Sequence, residues 1–227
     1  MREECCVPEF AEGAEVTHDA KREARVALLA ARRARSEAER QSAAARVQAE
    51  LTALVRRLRP DRVAAYAPVG GEPGGPDLPA VLADALPAGG RLLLPVLRDD
   101  LDLDWAVWAG PAAMIAAGRG IREPAGPRLG RTAIATAELV VVPALGVDRR
   151  GVRLGRGGGS YDRALARVPA GVLTVVPLHD GELVEALPAE PHDRPVRAVV
   201  TPTGGLQPLT ALSGVVPHTS AGRTGGR

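Results

Sequence analysis

The stretch GVRLGRGGGSYDRAL, Gly151 to Leu165, holds three arginines and sets a run of glycines directly before a helical pattern. Glycines let backbone N–H groups approach an anion with no Cβ in the way, and the start of the following helix adds a favourable dipole. Arg153 and Arg156 supply charge for phosphate oxygens. Ser160 has two uses, as a helix cap or as a hydroxyl donor to phosphate. The spacing matches neither common nucleotide fingerprint. A P-loop needs Gly-Lys followed by Ser or Thr, and the dinucleotide pattern puts glycine at position 160, where serine stands. By spacing alone the segment is either a cradle for phosphate or carboxylate, or a tight turn flanked by solvated arginines.

Asp162 has two readings as well. It is a first-turn carboxylate that suits the helix dipole, or a ligand for Mg²⁺ held against phosphates. Asp193, in PAEPHDRPV, offers a second carboxylate for such a cation; its alternative is a surface residue paired with Arg194 or Arg197. Of 29 basic residues Lys21 is the only lysine. Its survival in an arginine-rich chain hints that a compact ammonium is needed there, and phosphate is a common target for one.

These residues need elements to position them. THDAKREARVALLAARRARSEAERQSAAARVQAELTALVRRLRP reads as two helices. Thr17 or Asp19 caps the first, and Ser36 with Glu39 makes a capping box for the second. Val47, Leu51, Leu54, Val55 and Leu58 form the apolar face of the second helix, which Pro60 ends. DRVAAYAP, GGRLLLPVL, LDLDWAVW, AELVVVPAL, AGVLTVVPL and VRAVVTP read as strands, with LDLDWAVW alternating at period two. LPAVLADAL, SYDRALARV and GELVEAL read as helices, and AAMIAAGRGIREPAGPRLGR as loop. Alternating strands and helices with continuous apolar strands predict an α/β fold, a single three-layer domain with a mainly parallel sheet. Ligands in such folds sit outside the carboxyl ends of the strands. Three segments there carry polar chemistry: Tyr66 to Glu72, Gly146 to Asp162, and His192-Asp193. Residues 1–17 and 206–227 read as disordered leader and tail around a domain at 18–205.

The chain has 227 residues, 45% hydrophobic and 2% aromatic, so an aliphatic core is expected. No apolar run is long enough to span a bilayer and no apolar signal centre is present, which predicts a cytoplasmic protein outside the membrane. A net charge of +2 gives no case for nucleic acid. Cys5 and Cys6 are adjacent and carry no assigned role.

VVVPALGVDRRGVRLGRGGGSYDRAL resembles the signature of the 5-formyltetrahydrofolate cyclo-ligase (methenyltetrahydrofolate synthetase) family. KREAR, YAPVGGEPGGPDL, GIREP and LPAEPHDRPVRAVVTP match further family segments in order, over about residues 19–203. The resemblance implies one α/β domain that uses ATP as co-substrate and Mg²⁺ to convert 5-formyltetrahydrofolate to 5,10-methenyltetrahydrofolate through a phosphorylated formyl group. It implies ATP contacts from Lys21, Arg22, Arg25 and the loop Arg153, Leu154, Gly155, Arg156, Gly157, Gly158, Gly159, Ser160 and Tyr161. Ala67, Glu72, Arg156, Gly157, Gly158, Gly159 and Ser160 would meet the folate. Arg153, Arg156 and Tyr161 would serve catalysis, and Asp162 and Asp193 would hold the metal. Trp105 or Trp108 would stack on a folate ring, or belong to the core. Ser160 and Val147 depart from the family, which favours aromatics there. Two rivals are a phosphate-binding isomerase or transferase on a related scaffold, and an RNA-associated domain using the arginine-rich helix. Lys21, Arg25 and Asp162 speak against the first, and the interleaved Glu37, Glu39 and Glu50 against the second.

Overall fold

Successive residues of a strand point to opposite faces of its sheet, and the core divides accordingly. The computed structural model describes residues 10–118, 120–190 and 193–209, with side chains from residue 18. Helix α1 (Phe10–Ala34) and helix α2 (Glu37–Leu58) come first. Strand β1 (Arg62–Ala64), helix α3 (Leu78–Ala85) and the hairpin β2 (Arg91–Leu97) and β3 (Leu103–Val107) follow. Next are β4 (Met114–Ala116), β5 (Arg122–Pro124), β6 (Leu139–Val141), β7 (Gly146–Asp148) and β8 (Arg153–Leu154). Helix α4 (Ser160–Leu165) precedes β9 (Leu173–Pro177), β10 (Leu183–Val184), β11 (Ala198–Thr201) and β12 (Gly205–Pro208).

Seven strands form the main sheet in the order β12-β11-β9-β6-β1-β2-β3. The pairs from β11 across to β2 are parallel, and β12 and β3 close the edges antiparallel. Ala64, Leu93, Val140, Val176 and Val199 face one layer with Trp105, Ile134, Ala164 and Leu165. Val63, Leu92, Leu94, Val141, Val175 and Val200 face the other, against Val47, Leu51, Leu54 and Val55 of α2 and Leu78 and Leu82 of α3. The result is the expected three-layer α/β sandwich. Strand order reverses between β1 and β6, so the crevice at their carboxyl ends is where this topology places a ligand.

A smaller sheet, β10-β7-β8, carries the glycine loop, and α1 packs on it through Ala24 and Leu28 against Val152, Leu154 and Leu187. Gly146 permits this contact: a Cβ there would meet Leu28 Cδ1 at 2.9 Å.

Several local readings change. Helix α1 begins at Phe10, inside the segment read as leader, because the Ala and Glu of FAEGAEV favour helix over their polar composition. Thr17 and Asp19 are therefore positions within the helix and not its start. The Ser36–Glu39 capping box forms as read, but Leu58, the last residue of α2, is 44% exposed. LDLDWAVW does not alternate in burial: Arg167 holds Asp102 and the Gly130 N–H binds Asp104, so both carboxylates go inside. The presumed loop after it forms the β4–β5 hairpin, with Gly118 and Gly120 at positive φ in the turn. GELVEAL forms the short strand β10 rather than a helix, because Leu183 and Val184 pair with β7 while Glu182 turns inward. After β11 the chain turns back through Gly205 (φ 60) into β12, and Leu206 packs on the core inside the segment read as tail. Residues 1–9, with Cys5 and Cys6, and residues 210–227 lie outside the described residues. Among the described residues no helix is long and apolar enough to cross a membrane.

Candidate active site

The glycine loop leaves a tight β7–β8 hairpin built on one buried carboxylate. Asp148 Oδ1 accepts the N–H groups of Arg150 and Val152, and Oδ2 accepts that of Leu187. Gly151 turns the hairpin at φ 87 and binds the Val196 N–H through its carbonyl at 2.9 Å. That contact brings the chain just after Asp193 alongside the loop. From β8 the chain runs exposed through Arg156, Gly157 and Gly158 into α4, whose cap position is Gly159 at φ 66. Ser160 is the first helical residue and its side chain makes no capping bond, because glycine occupies the cap.

Three cations, in four ion pairs, knit the segments together. Arg153, nearly buried, donates to Asp162 Oδ1, and its Nε has no partner among the described residues. Arg156 donates to Glu72 Oε1 at 3.1 Å, joining the glycine loop to the loop after β1. Lys21 Nζ sits 2.6 Å from Glu190 Oε2 and 2.9 Å from Asp193 Oδ2. Desolvation alone would lower the Lys21 pKa, but hydrogen bonds and charge from Asp193 and Glu190 outweigh it and raise it above the usual value. Arg25, one turn on, donates to the Gly155 carbonyl at 3.1 Å and lies against Gly157. Arg22 stands 66% exposed and pairs with Asp19 rather than with the loop.

The loop after β1 is held as tightly. Tyr66 donates its hydroxyl to the Pro73 carbonyl at 2.6 Å, and Glu72 Oε2 accepts the Val69 N–H at 3.0 Å. Ala67 is half-buried against the core. Tyr161 packs against both core layers at the end of the sheet, and its buried hydroxyl has no partner among the described residues. Burial, with the Glu72 charge second, pushes its pKa far above the ordinary phenol value, so this hydroxyl stays protonated.

Lys21, Arg25, Glu72, Arg153, Arg156, Tyr161 and Asp193 therefore come to one end of the sheet. Asp162 and Asp193 are each held by a different cation, and no group of three metal-ligating side chains is present among the described residues. His192 lies outside the described residues. Trp105 is fully buried in the core and cannot stack on a ligand; Trp108 is half-buried against the other layer. Val147 is also core, so its departure from the family affects packing rather than the ligand surface. Sequence reading missed Glu190, whose signal was the carboxylate in PAEPHD, and the buried cluster Arg32, Glu182 and His179. Arg32 pairs with Glu182, Arg35 donates to the Asp180 carbonyl and Arg40 pairs with Glu37. Three of the five arginines in the segment considered for RNA, Arg32, Arg35 and Arg40, therefore have partners within the chain.

A model of the 5-formyltetrahydrofolate cyclo-ligase family matches residues 17–202. The chain belongs to that family. A cyclo-ligase from Mycolicibacterium smegmatis is 41% identical, over 83% of this chain and 97% of the relative. A second cyclo-ligase, from Escherichia coli K12, is 42% identical over a shorter stretch, 29% of this chain and 37% of the relative. The solved structure of Aquifex aeolicus 5,10-methenyltetrahydrofolate synthetase superposes with a TM-score of 0.67 at 28% identity, covering 88% of this chain and 98% of that one. The synthetase from Mycoplasma pneumoniae, 18% identical with a TM-score of 0.62 over 79% of this chain and 96% of its own, shares the fold. The cyclo-ligase match takes in every residue singled out at the site, from Lys21 to Asp193.

Proposed function

We propose that this chain converts 5-formyltetrahydrofolate to 5,10-methenyltetrahydrofolate, using ATP and releasing ADP and phosphate. Family membership supports the activity. The observation that carries the residue assignments is the convergence of four separate segments, around Lys21, Glu72, Arg153–Asp162 and Glu190–Asp193, through direct contacts.

The formyl oxygen is a poor leaving group. Its attack on the γ-phosphorus of ATP expels ADP and makes a formyl phosphate-like carbon. The N10 lone pair then adds to that carbon, N10 gives up its proton, and the C–O bond breaks as phosphate departs. Little covalent work falls to the protein; it must align the reactants and neutralise developing charge. Lys21 and Arg25 hold phosphates from α1, and Arg153 and the Gly155–Tyr161 loop hold them from the other side. Arg156 spans to the folate side, where Glu72 accepts pterin N–H groups beside Ala67. Tyr161, kept neutral, serves as a hydroxyl donor and not as a base.

The donor set at the site suits a hard cation, because Asp162 and Asp193 offer carboxylate oxygens and phosphate and water would complete the shell. When bound, Mg²⁺ would supply charge neutralisation on the phosphates. In the structure these carboxylates hold Arg153 and Lys21. Phosphate oxygens would take over the two cations and release the two carboxylates, so binding exchanges partners instead of stripping charges bare. The test is purified protein with ATP, Mg²⁺ and 5-formyltetrahydrofolate, followed by the near-ultraviolet absorbance of the methenyl product. Product formation that needs all three supports the reading; none with any divalent metal overturns it.

A further inference from the structure

His179 follows β9 at the carboxyl end of the sheet and is 2% exposed. Its Nε2 lies 3.0 Å from the carbonyl oxygen of Gly71, the residue before Glu72. A carbonyl only accepts, so Nε2 must carry the proton, and in the neutral ring that burial favours Nδ1 is then bare. Nδ1 is buried with no hydrogen-bond partner among the described residues. The backbone that carries the ring is fixed from behind. The His179 backbone N–H donates to Glu182 Oε2 at 2.8 Å, and the Glu182 carboxylate accepts two bonds from Arg32, at 2.6 and 2.8 Å. Arg32 also donates to the Ala144 carbonyl at 2.6 Å. Arg32, Glu182 and His179 are all buried. This chain of bonds joins α1, the segment after β6, the turn after β9 and the loop after β1.

We propose that His179 is a positioning residue for folate: its Nε2–H fixes the Gly71 carbonyl and thereby the place of the Glu72 carboxylate. The proposal rests on the assignment of Glu72 to the folate. The bond from Glu72 to Val69 lies within the loop and cannot set where it sits, while Tyr66, itself in the core, ties Pro73 on the C-terminal side of Glu72. Three come from outside. Gln48 reaches Gly74 on the far side of Glu72, and Arg156 is 59% exposed in its side chain and itself part of the site. His179 is the tie from another element to the residue on the N-terminal side of Glu72. A ring kept only to fill space needs no nitrogen there, and a phenylalanine would fill the volume without an unsatisfied buried acceptor. A shift of Glu72 by a fraction of an ångström would weaken its bonds to the pterin while leaving the phosphate contacts of α1 in place.

The experiment compares His179→Phe, which fills the space, with His179→Gln, whose amide can reach the same carbonyl. 5-Formyltetrahydrofolate binding is titrated directly in the absence of ATP, and KM is measured for both substrates. The Phe variant is expected to weaken folate binding and raise folate KM roughly tenfold, with ATP KM within about twofold, and Gln to restore most of the loss. Unchanged folate binding in the Phe variant, or an equal rise in both KM values, overturns the proposal. A wild-type protein that binds no folate overturns the functional reading itself, and this inference with it. If the Phe variant does not fold, nitrogen NMR of the wild-type imidazole still decides. Nε2 must be the protonated nitrogen, and a ring protonated at Nδ1 alone contradicts the bond.

Discussion

Lys21 clamps two carboxylates and is proposed to hold ATP phosphates, and one substitution can separate the two. Its side chain is 8% exposed, and it is clamped by Asp193 and Glu190, which are 10% and 31% exposed. Removing one partner of a fully buried pair costs about 3–5 kcal/mol, whereas an exposed pair contributes about 0–1 kcal/mol. Glu190 gives water access to this clamp, so Lys21→Met should cost about 2 kcal/mol. In a domain of this size that lowers Tm by about 4–8 °C. The catalytic loss is separate. A hydrogen bond from a charged donor contributes about 1.5–3 kcal/mol, so a lost phosphate contact should raise ATP KM about 10- to 100-fold. Folate binding should change little, because Glu72 is held by its own loop, Arg156 and His179. The assay is a melting curve beside steady-state kinetics with each substrate varied. A lower Tm with unchanged ATP KM would show that Lys21 is a structural clamp alone. An equal rise in both KM values would refute its assignment to phosphate.

Asp162→Asn should abolish turnover while the protein stays folded, since the amide still accepts from Arg153; full activity would reduce Asp162 to a partner for that arginine. Gly151→Ala should destabilise strongly. Its φ is 87° and a Cβ would lie 2.4 Å from the Val196 carbonyl oxygen, so a loss of about 3 kcal/mol or more is expected in a denaturant titration. An unchanged midpoint would mean that the hairpin does not hold the Asp193 segment in place. Burial keeps the His179 pKa below the usual imidazole value. The folded state thus binds fewer protons than the unfolded chain below about pH 6.5. Its contribution is complete above that pH and declines as pH falls toward the folded pKa. His179→Gln should flatten the drop in stability between about pH 7.5 and about pH 5.5, and an identical slope in both proteins would contradict this sign.

What was legible in the sequence was local. The period of Val47, Leu51, Leu54 and Val55 marked the buried face of α2, and Ser36 with Glu39 marked its start. LVVVP was apolar throughout, and LTVVP apolar but for Thr174, because their strands are covered on both faces. The glycine loop announced itself because backbone approach needs glycine in series. What was not legible depends on residues far apart in the chain. Lys21 and Glu190 are 169 positions apart, and only the packing of α1 on the small sheet brings them together. Arg32 looked like one more solvated charge until the fold set Glu182 against it. Trp105 was open to two readings, stacking on a ligand or joining the core; the Leu129 N–H on its carbonyl and the surrounding aliphatic layer place it in the core. GELVEAL has helical spacing, but backbone pairing with β7 overrode it.

The central claim is that a γ-phosphate meets the formyl oxygen at the Lys21–Arg153–Glu72 site. It is tested most directly with 5-formyltetrahydrofolate carrying ¹⁸O in the formyl group, incubated with the purified protein, ATP and Mg²⁺. The account predicts one phosphate for each methenyltetrahydrofolate, with the label carried into the phosphate. Methenyl product formed while the label passes to water would contradict phosphoryl transfer to that oxygen, and no methenyl product at all would contradict the assignment of the site.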